Sequence, residues 1–297
     1  MKYTNKTRTM SRRTFVMVAG AGLLALTACR PAVPPVAQPA APAPAIPVVD
    51  IMAMEYAFKL PEKVPAGLVT LNFINHGKEL HFAAASRLSK DISLADIVKQ
   101  LDSPTPPDFI DQTQGMSTGI NSPGLSQQIT VKLVPGKYFV GCWVPAPDHM
   151  PHAAKGMVGI FEVVENKGAQ AAEPAADLVI TLNKDGVDFP KAVSAGKHTW
   201  KVVNASGNGD ANGIEIIQLA SGKTLEDAKN GFNTGDLSAI VGAFGGGGGA
   251  GPTSTVWVTL DLKPGEYWMD TSVPDPKAPP PAKDQQPKTI AVQFTVK

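Results

Sequence analysis

The sequence predicts an all-β protein built as two β-sandwiches in tandem. Three observations carry this reading. Short alternating or β-branched runs recur along the chain, among them Leu68 to Ile74, Gln128 to Leu133, Lys137 to Cys142 and Val158 to Val164; this is the pattern of strands with one face buried. Pro-Gly pairs at 135–136 and 264–265 punctuate these runs as turns leading into a strand. The chain also repeats itself. Pro61, Val64, Ala66, Gly67 and Asn75 return 129 positions later as Pro190, Val193, Ala195, Gly196 and Asn204, and Pro135-Gly136-Lys137-Tyr138 returns as Pro264-Gly265-Glu266-Tyr267. Between these anchors Leu88, Leu94 and Asp96 match Leu219, Leu225 and Asp227 at a spacing of 131, so one loop has gained two residues.

The first 29 residues stand outside the fold. Arg12 and Arg13 in SRRTFV resemble a twin-arginine signal, with Val16 and Met17 where Leu and Lys are commoner. The apolar run from Phe15 to Ala28 is 14 residues long, too short for a permanent bilayer span. It ends in Leu26-Thr27-Ala28-Cys29, which resembles a bacterial lipobox. That resemblance implies export, lipidation of Cys29, and a mature chain anchored on the outer face of the cell membrane or in the periplasm. The segment carries five Lys/Arg and no acid, so 22 basic and 26 acidic residues remain, a net charge of −4. So mild a balance does not point to nucleic acid as a partner.

Residues 30–47 (RPAVPPVAQPAAPAPAIP) have no core to bury and read as a semi-rigid spacer. At ~3.1 Å per residue it would hold a domain on the order of 50 Å from the membrane. A second break at 166–176 (NKGAQAAEPAA) divides the rest into a first half, 48–165, and a second, 177–297. In the first half one short helix is expected at Ser93 to Leu101, with Ser93 as N-cap and Asp96 at the third helical position.

With Cys29 spent on the anchor, Cys142 is the one thiol left. It ends a β-type run and is followed by His152 and, in a Gly-Met pair, by Met157. Thiolate, imidazole and thioether on one loop are ligands that a soft metal selects. A second imidazole would complete the His₂Cys set with axial Met of an electron-transfer copper site. Each residue alone has a plainer reading: a buried small hydrophobe for Cys142, core packing for Met157, a surface or hydrogen-bonded ring for the histidine.

On these residues the first half resembles the cupredoxins, the blue-copper β-sandwiches. Members of that family place one histidine on a mid-sequence loop. Their cysteine, second histidine and methionine lie between the last two strands. NHGKELHF offers His81 for the first position, and CWVPAPDHMPHAAKGM offers Cys142, His152 and Met157 for the others. The resemblance implies a tandem of Greek-key cupredoxin-like sandwiches and one type 1 copper per chain held by His81, Cys142, His152 and Met157. His149 stands as the alternative to His152, although His152 keeps the family's spacing to Met157. His76 reads as solvent-facing. Where many cupredoxins carry an asparagine that braces the thiolate, this chain has Phe82, so packing is expected to brace the site. Trp143, Val144, Pro145, Pro147, Met150 and Pro151 are candidates for an apolar patch through which His152 would reach the surface, with inward packing of Trp143 and Val144 as the alternative.

The second half has lost this set. Thr271 matches Cys142, Asn212 matches His81, and SVPDPKAPPPAKDQQPK replaces the ligand loop. Its one histidine, His198, is expected to face solvent, and the run GAFGGGGGAG at 242–251 to be a flexible loop. Two-domain cupredoxin enzymes need further copper sites built from several histidines. This chain has five histidines, with Gly141 and Trp143 beside the cysteine, so no enzyme is expected. The expectation is an exported, lipid-anchored blue copper protein that passes single electrons to a redox partner such as a cytochrome or an oxidase. The alternatives are a copper-delivery lipoprotein and a metal-free interaction module.

Overall fold

The computed structural model describes residues 44–101, 107–183, 186–206, 212–251, 253–272 and 289–297. The expected signal segment with Cys29, most of the 30–47 spacer and the segment replacing the ligand loop in the second half lie outside the described residues. The first half contributes β1 (Val48–Met54), β2 (Ala57–Lys59), β3 (Lys63–Pro65), β4 (Gly67–Asn75), β5 (Ala84–Leu88), α1 (Leu94–Val98), β6 (Ile110–Thr118), β7 (Ser126–Leu133), β8 (Gly136–Gly141) and β9 (Val158–Val164). The second repeats the order with β10 (Leu178–Asn183), β11 (Gly186–Val187), β12 (Ala192–Val193), β13 (Gly196–Asn204), β14 (Asn212–Leu219), α2 (Leu225–Thr234), β15 (Ile240–Gly249), β16 (Thr255–Leu262), β17 (Gly265–Ser272) and β18 (Thr289–Val296). Among the described residues no helix is long and apolar enough to cross a membrane.

The repeated motifs have visible jobs. In PGKY and PGEY the tyrosine hydroxyl reaches back to a carbonyl four residues earlier, Tyr138 to Val134 at 3.1 Å and Tyr267 to Lys263 at 2.9 Å. Each ring then stacks on the phenylalanine of the neighbouring strand, Tyr138 on Phe161 at 5.4 Å and Tyr267 on Phe294 at 5.5 Å. The motif therefore closes a tight turn and fills the core with one residue. The Leu and Asp matches 131 apart are helix starts: Ser93 Oγ accepts from Asp96 N–H, and Thr224 with Asp227 forms a reciprocal capping box. Helix α1 is shorter than its sequence suggests and ends at Val98.

The strands form two layers. One has eight strands in the order β11-β10-β13-β16-β7-β4-β1-β2, and the other has ten in the order β12-β18-β17-β14-β15-β6-β5-β8-β9-β3. Both sheets run through both halves. The equivalent strands β7 and β16 pair antiparallel, with Val131 opposite Val256 and Ile129 opposite Val258. In the other layer β6 and β15 do the same, with Thr118 opposite Gly247. Each half thus offers the same two edges to the other, an approximately twofold arrangement that leaves no free edge at the seam.

The run at 242–251 is not a flexible loop: most of it belongs to β15, hydrogen-bonded between β14 and β6. Its glycines are required by the closeness of the neighbouring backbones. A Cβ on Gly247, whose φ is +131°, would lie 2.6 Å from the Ser117 carbonyl oxygen, and one on Gly213 would lie 2.7 Å from the Gly247 carbonyl oxygen. Buried Gln127 ties the strand down further, accepting from Gly246 N–H at 2.8 Å and donating to the Gly119 carbonyl at 3.1 Å. His198 also differs from expectation. Its side chain is 14% exposed and is held by Asp177 at 2.7 Å and by the Ser194 carbonyl at 2.7 Å.

Glu215 crosses the seam to accept from Ile120 N–H at 2.8 Å. Burial pushes its carboxyl well above the ordinary range and holds Asp270, directly opposite on β17, up at about 6. A carboxyl that resists ionising in the fold but ionises freely when unfolded weakens the fold as pH rises through the interval between the two pKa values. Glu215→Gln, which keeps an acceptor for Ile120, is therefore expected to raise the thermal midpoint at pH 8 and leave it unchanged at pH 4, checked by calorimetry at both values. Gly247→Ala should destabilise the chain by on the order of 1–3 kcal/mol through strain and overpacking, measured by denaturant unfolding.

Candidate metal centre

Strand β4 ends at Asn75, whose side-chain amide donates to the carbonyls of Glu79 and Asn121, both at 2.8 Å, while its oxygen accepts from Gly77 N–H. This pins the loop that follows. His81, on that loop, pairs through its backbone with Asn121, and Asn121 in turn bridges to Phe244 on β15. Cys142 lies one residue past β8. Its N–H donates to the Met157 carbonyl at 3.2 Å, and its carbonyl accepts from Ala153 at 2.7 Å. His152 N–H donates to the Val144 carbonyl at 2.9 Å, and Met157 N–H to the His152 carbonyl at 2.9 Å. The long segment between Cys142 and Met157 is thus folded back on itself, with a 3-10 turn at His152–Lys155 closed by Gly156 at φ +107°.

The structure brings His81, Cys142 and His152 together, all at 0% exposure. The two Nδ1 atoms are 3.0 Å apart, and Cys142 Sγ lies 3.6 Å from His152 Nδ1 and 4.0 Å from His81 Nδ1. A point equidistant from the three atoms is roughly 2.1 Å from each, close to the bond lengths of a first-row metal ion to imidazole nitrogen and thiolate sulfur. Met157 is fully buried in the same core cluster. Two imidazoles and a thiol brought together in the core suit one copper ion. His149 is not part of the cluster: it is exposed, at φ +67°, and its ring lies against Gly235. His76 is exposed as expected.

Burial sets the protonation states. It pushes the Cys142 thiol up to about 11, while backbone hydrogen bonds from Phe82 and Val144 to the sulfur pull the other way. Burial lowers His81 to about 4, with the neighbouring His152 adding to the effect. His152 is also lowered by burial, against the pull of Glu79. At neutral pH the metal-free cluster is uncharged.

Sequence reasoning missed the outward side of the site. His152 does not reach the surface through an apolar patch: its Nε2 lies 2.8 Å from Glu79 Oε2. The Tyr56 hydroxyl donates to Glu79 Oε1 at 3.1 Å, and the Tyr56 ring meets His152 edge-on at 5.2 Å. Glu55 stands 3.9 Å from His81 Nε2. Glu79 lies two residues before His81, but no spacing rule marks it, and Glu55 and Tyr56 come from another strand's end. The apolar loop residues divide. Val144 is 2% exposed, whereas Trp143 and Met150 are 42% and 48% exposed. The Trp143 ring lies over Gly141, where a Cβ would come within 2.7 Å of it, and near Phe82 and Phe139 at 6.4 and 6.2 Å.

In the second half Thr271, the counterpart of Cys142 in the repeat, lies within β17 and is buried at 1% exposure. Asn212 begins β14.

No family model matches the sequence, and no curated protein matches it. Solved structures similar to the chain include dithionite-reduced auracyanin from Roseiflexus castenholzii, 27% identical over 41% of this chain and 99% of that one, with a TM-score of 0.29. Auracyanin A of Chloroflexus aurantiacus, described as a "blue" copper protein, is 21% identical over 39% of this chain and 98% of its own, with a TM-score of 0.28. A blue copper oxidase from Nitrosomonas europaea spans both halves, at 17% identity over 85% of this chain and 86% of its own, with a TM-score of 0.25. The three donor atoms of the chain itself, and not these likenesses, carry the metal assignment.

Proposed function

We propose that the chain binds one type 1 copper through His81, Cys142 and His152, with Met157 as the weak axial contact, and carries single electrons between redox partners. The observation that supports this most directly is the buried triangle of Nδ1, Nδ1 and Sγ atoms with sides of 3.0, 3.6 and 4.0 Å. Copper in such a set would supply a one-electron couple. The residues do the rest. Asn75 and the backbone ladder from Cys142 to Met157 fix both ligand loops, so the donors have little room to rearrange between oxidation states. Full burial keeps substrates and water from the centre, which suits outer-sphere electron transfer better than catalysis. The other histidines are placed apart from the cluster, His76 and His149 on the surface and His198 tied to Asp177.

In this reading the second half is a scaffold without metal. Lipidation at Cys29 and the Pro/Ala spacer would hold the protein at the outer face of the membrane or in the periplasm. The partner would be a redox protein such as a cytochrome or an oxidase. Trp143, next to Cys142 in the chain and exposed, offers an aromatic contact for a small transient interface.

The experiment is a visible spectrum of the copper-loaded protein beside Cys142→Ala. An intense thiolate-to-copper charge-transfer band, absent in the variant, is expected. Copper bound without the band would point to delivery, and no stoichiometric copper to an interaction module. Because both imidazoles are already neutral at pH 7 while the thiol titrates at about 11, copper must displace the thiol proton. Apparent Cu(II) affinity is therefore expected to fall roughly tenfold per unit as pH drops from 8 to 6, measured by competition against a chelator of known affinity.

A further inference from the structure

His152 has two ring nitrogens, and only one faces the other donors. Its Nδ1 points to His81 Nδ1 and Cys142 Sγ, and its Nε2 points to Glu79 Oε2. An ionised carboxylate only accepts hydrogen bonds, so Nε2 carries the hydrogen and Nδ1 turns a lone pair inward. Glu79 is itself held at three points. Oε1 accepts from the Tyr56 hydroxyl, the backbone carbonyl accepts from Asn75, and Oε2 holds the histidine. Above Tyr56, Lys155 Nζ sits 4.9 Å from the ring centroid. The other imidazole has no such clamp. Glu55 lies 3.9 Å from His81 Nε2, beyond hydrogen-bond reach, and its Oε1 accepts instead from the Lys78 and Glu79 N–H groups.

We propose that Glu79 is a positioning residue of the metal centre. It fixes the tautomer and ring orientation of His152 and closes the edge of the ring that would otherwise meet solvent. The proposal rests on the copper reading. A carboxylate hydrogen-bonded to the far nitrogen of a metal-bound histidine raises the ligand's basicity, and removing such a partner typically lowers metal affinity 10–100-fold. Negative charge at this point favours Cu(II) over Cu(I). Each tenfold selective loss of Cu(II) affinity therefore raises the one-electron potential by about 59 mV.

The test compares Glu79→Ala and Glu79→Gln with the unaltered protein. In the metal-free state, nitrogen-15 NMR of the imidazoles is expected to show His152 as a single Nε2–H tautomer in the unaltered protein and in Glu79→Gln, which retains an acceptor oxygen, and as a mixture in Glu79→Ala. After copper loading, Glu79→Ala should lose 10–100-fold in Cu(II) affinity with less loss for Cu(I), and its reduction potential should rise. Glu79→Gln should keep most of the affinity. An unchanged tautomer, affinity and potential in Glu79→Ala would overturn the proposal. So would equal losses in the two variants, which would trace to collapse of the loop. Should the unaltered protein take up no copper, the copper reading fails, and the metal-free spectra still decide whether Glu79 sets the ring.

Discussion

The pairing of β6 with β15 and of β7 with β16 is the constraint on which the rest of this molecule depends. Through it, two halves that each carry an edge strand become one two-layered body with continuous sheets. The glycines of β15 make the pairing possible, because three backbones meet where side chains would collide. The seam also reaches the metal centre. Phe244 on β15 bridges to Asn121, Asn121 pairs with His81, and Asn75 ties both to the end of β4. The second half therefore bears on where the first half places a ligand.

The centre shows how burial prepares a metal site. A thiol and two imidazoles in a dry core are driven to their neutral forms, because burying an uncompensated charge is unfavourable. Their donor atoms are then ready for a cation that compensates the thiolate. The exposed side is handled differently. Glu55, Tyr56 and Glu79 surround the outward nitrogens with partly exposed carboxylates and a hydroxyl, so the polar contacts lie between donors and solvent.

Much of this was legible in the chain. The all-β class, the repeat and several strand cores came from period-2 alternation and Pro-Gly turns, which are local signals. The capping residues at Ser93 and Thr224 are local too, since a cap bonds to a backbone N–H three residues away. The grouping of His81, Cys142 and His152 was readable because family order and spacing stand in for distance. The failures share one cause. GAFGGGGGAG looked like a loop because Gly lacks strand propensity, but its neighbours in space, Ser117 and Gly213, decided otherwise. His198 was assigned to solvent because Asp177, 21 residues away in the chain, was invisible to a local reading. The apolar exit for His152 failed because Glu79 and Tyr56 close it from other loops.

The sequence by itself determined the kinds of donor, their order, the turn and capping chemistry and the doubled architecture, because each of these is written in near neighbours or in the repeat. Only the tertiary structure decided that the two halves share their sheets, that polyglycine is a seam strand, and that His152 is sealed by a carboxylate. Those outcomes depend on which backbones and side chains from distant segments come within a few ångströms of one another, and packing fixes that only once the whole chain has folded.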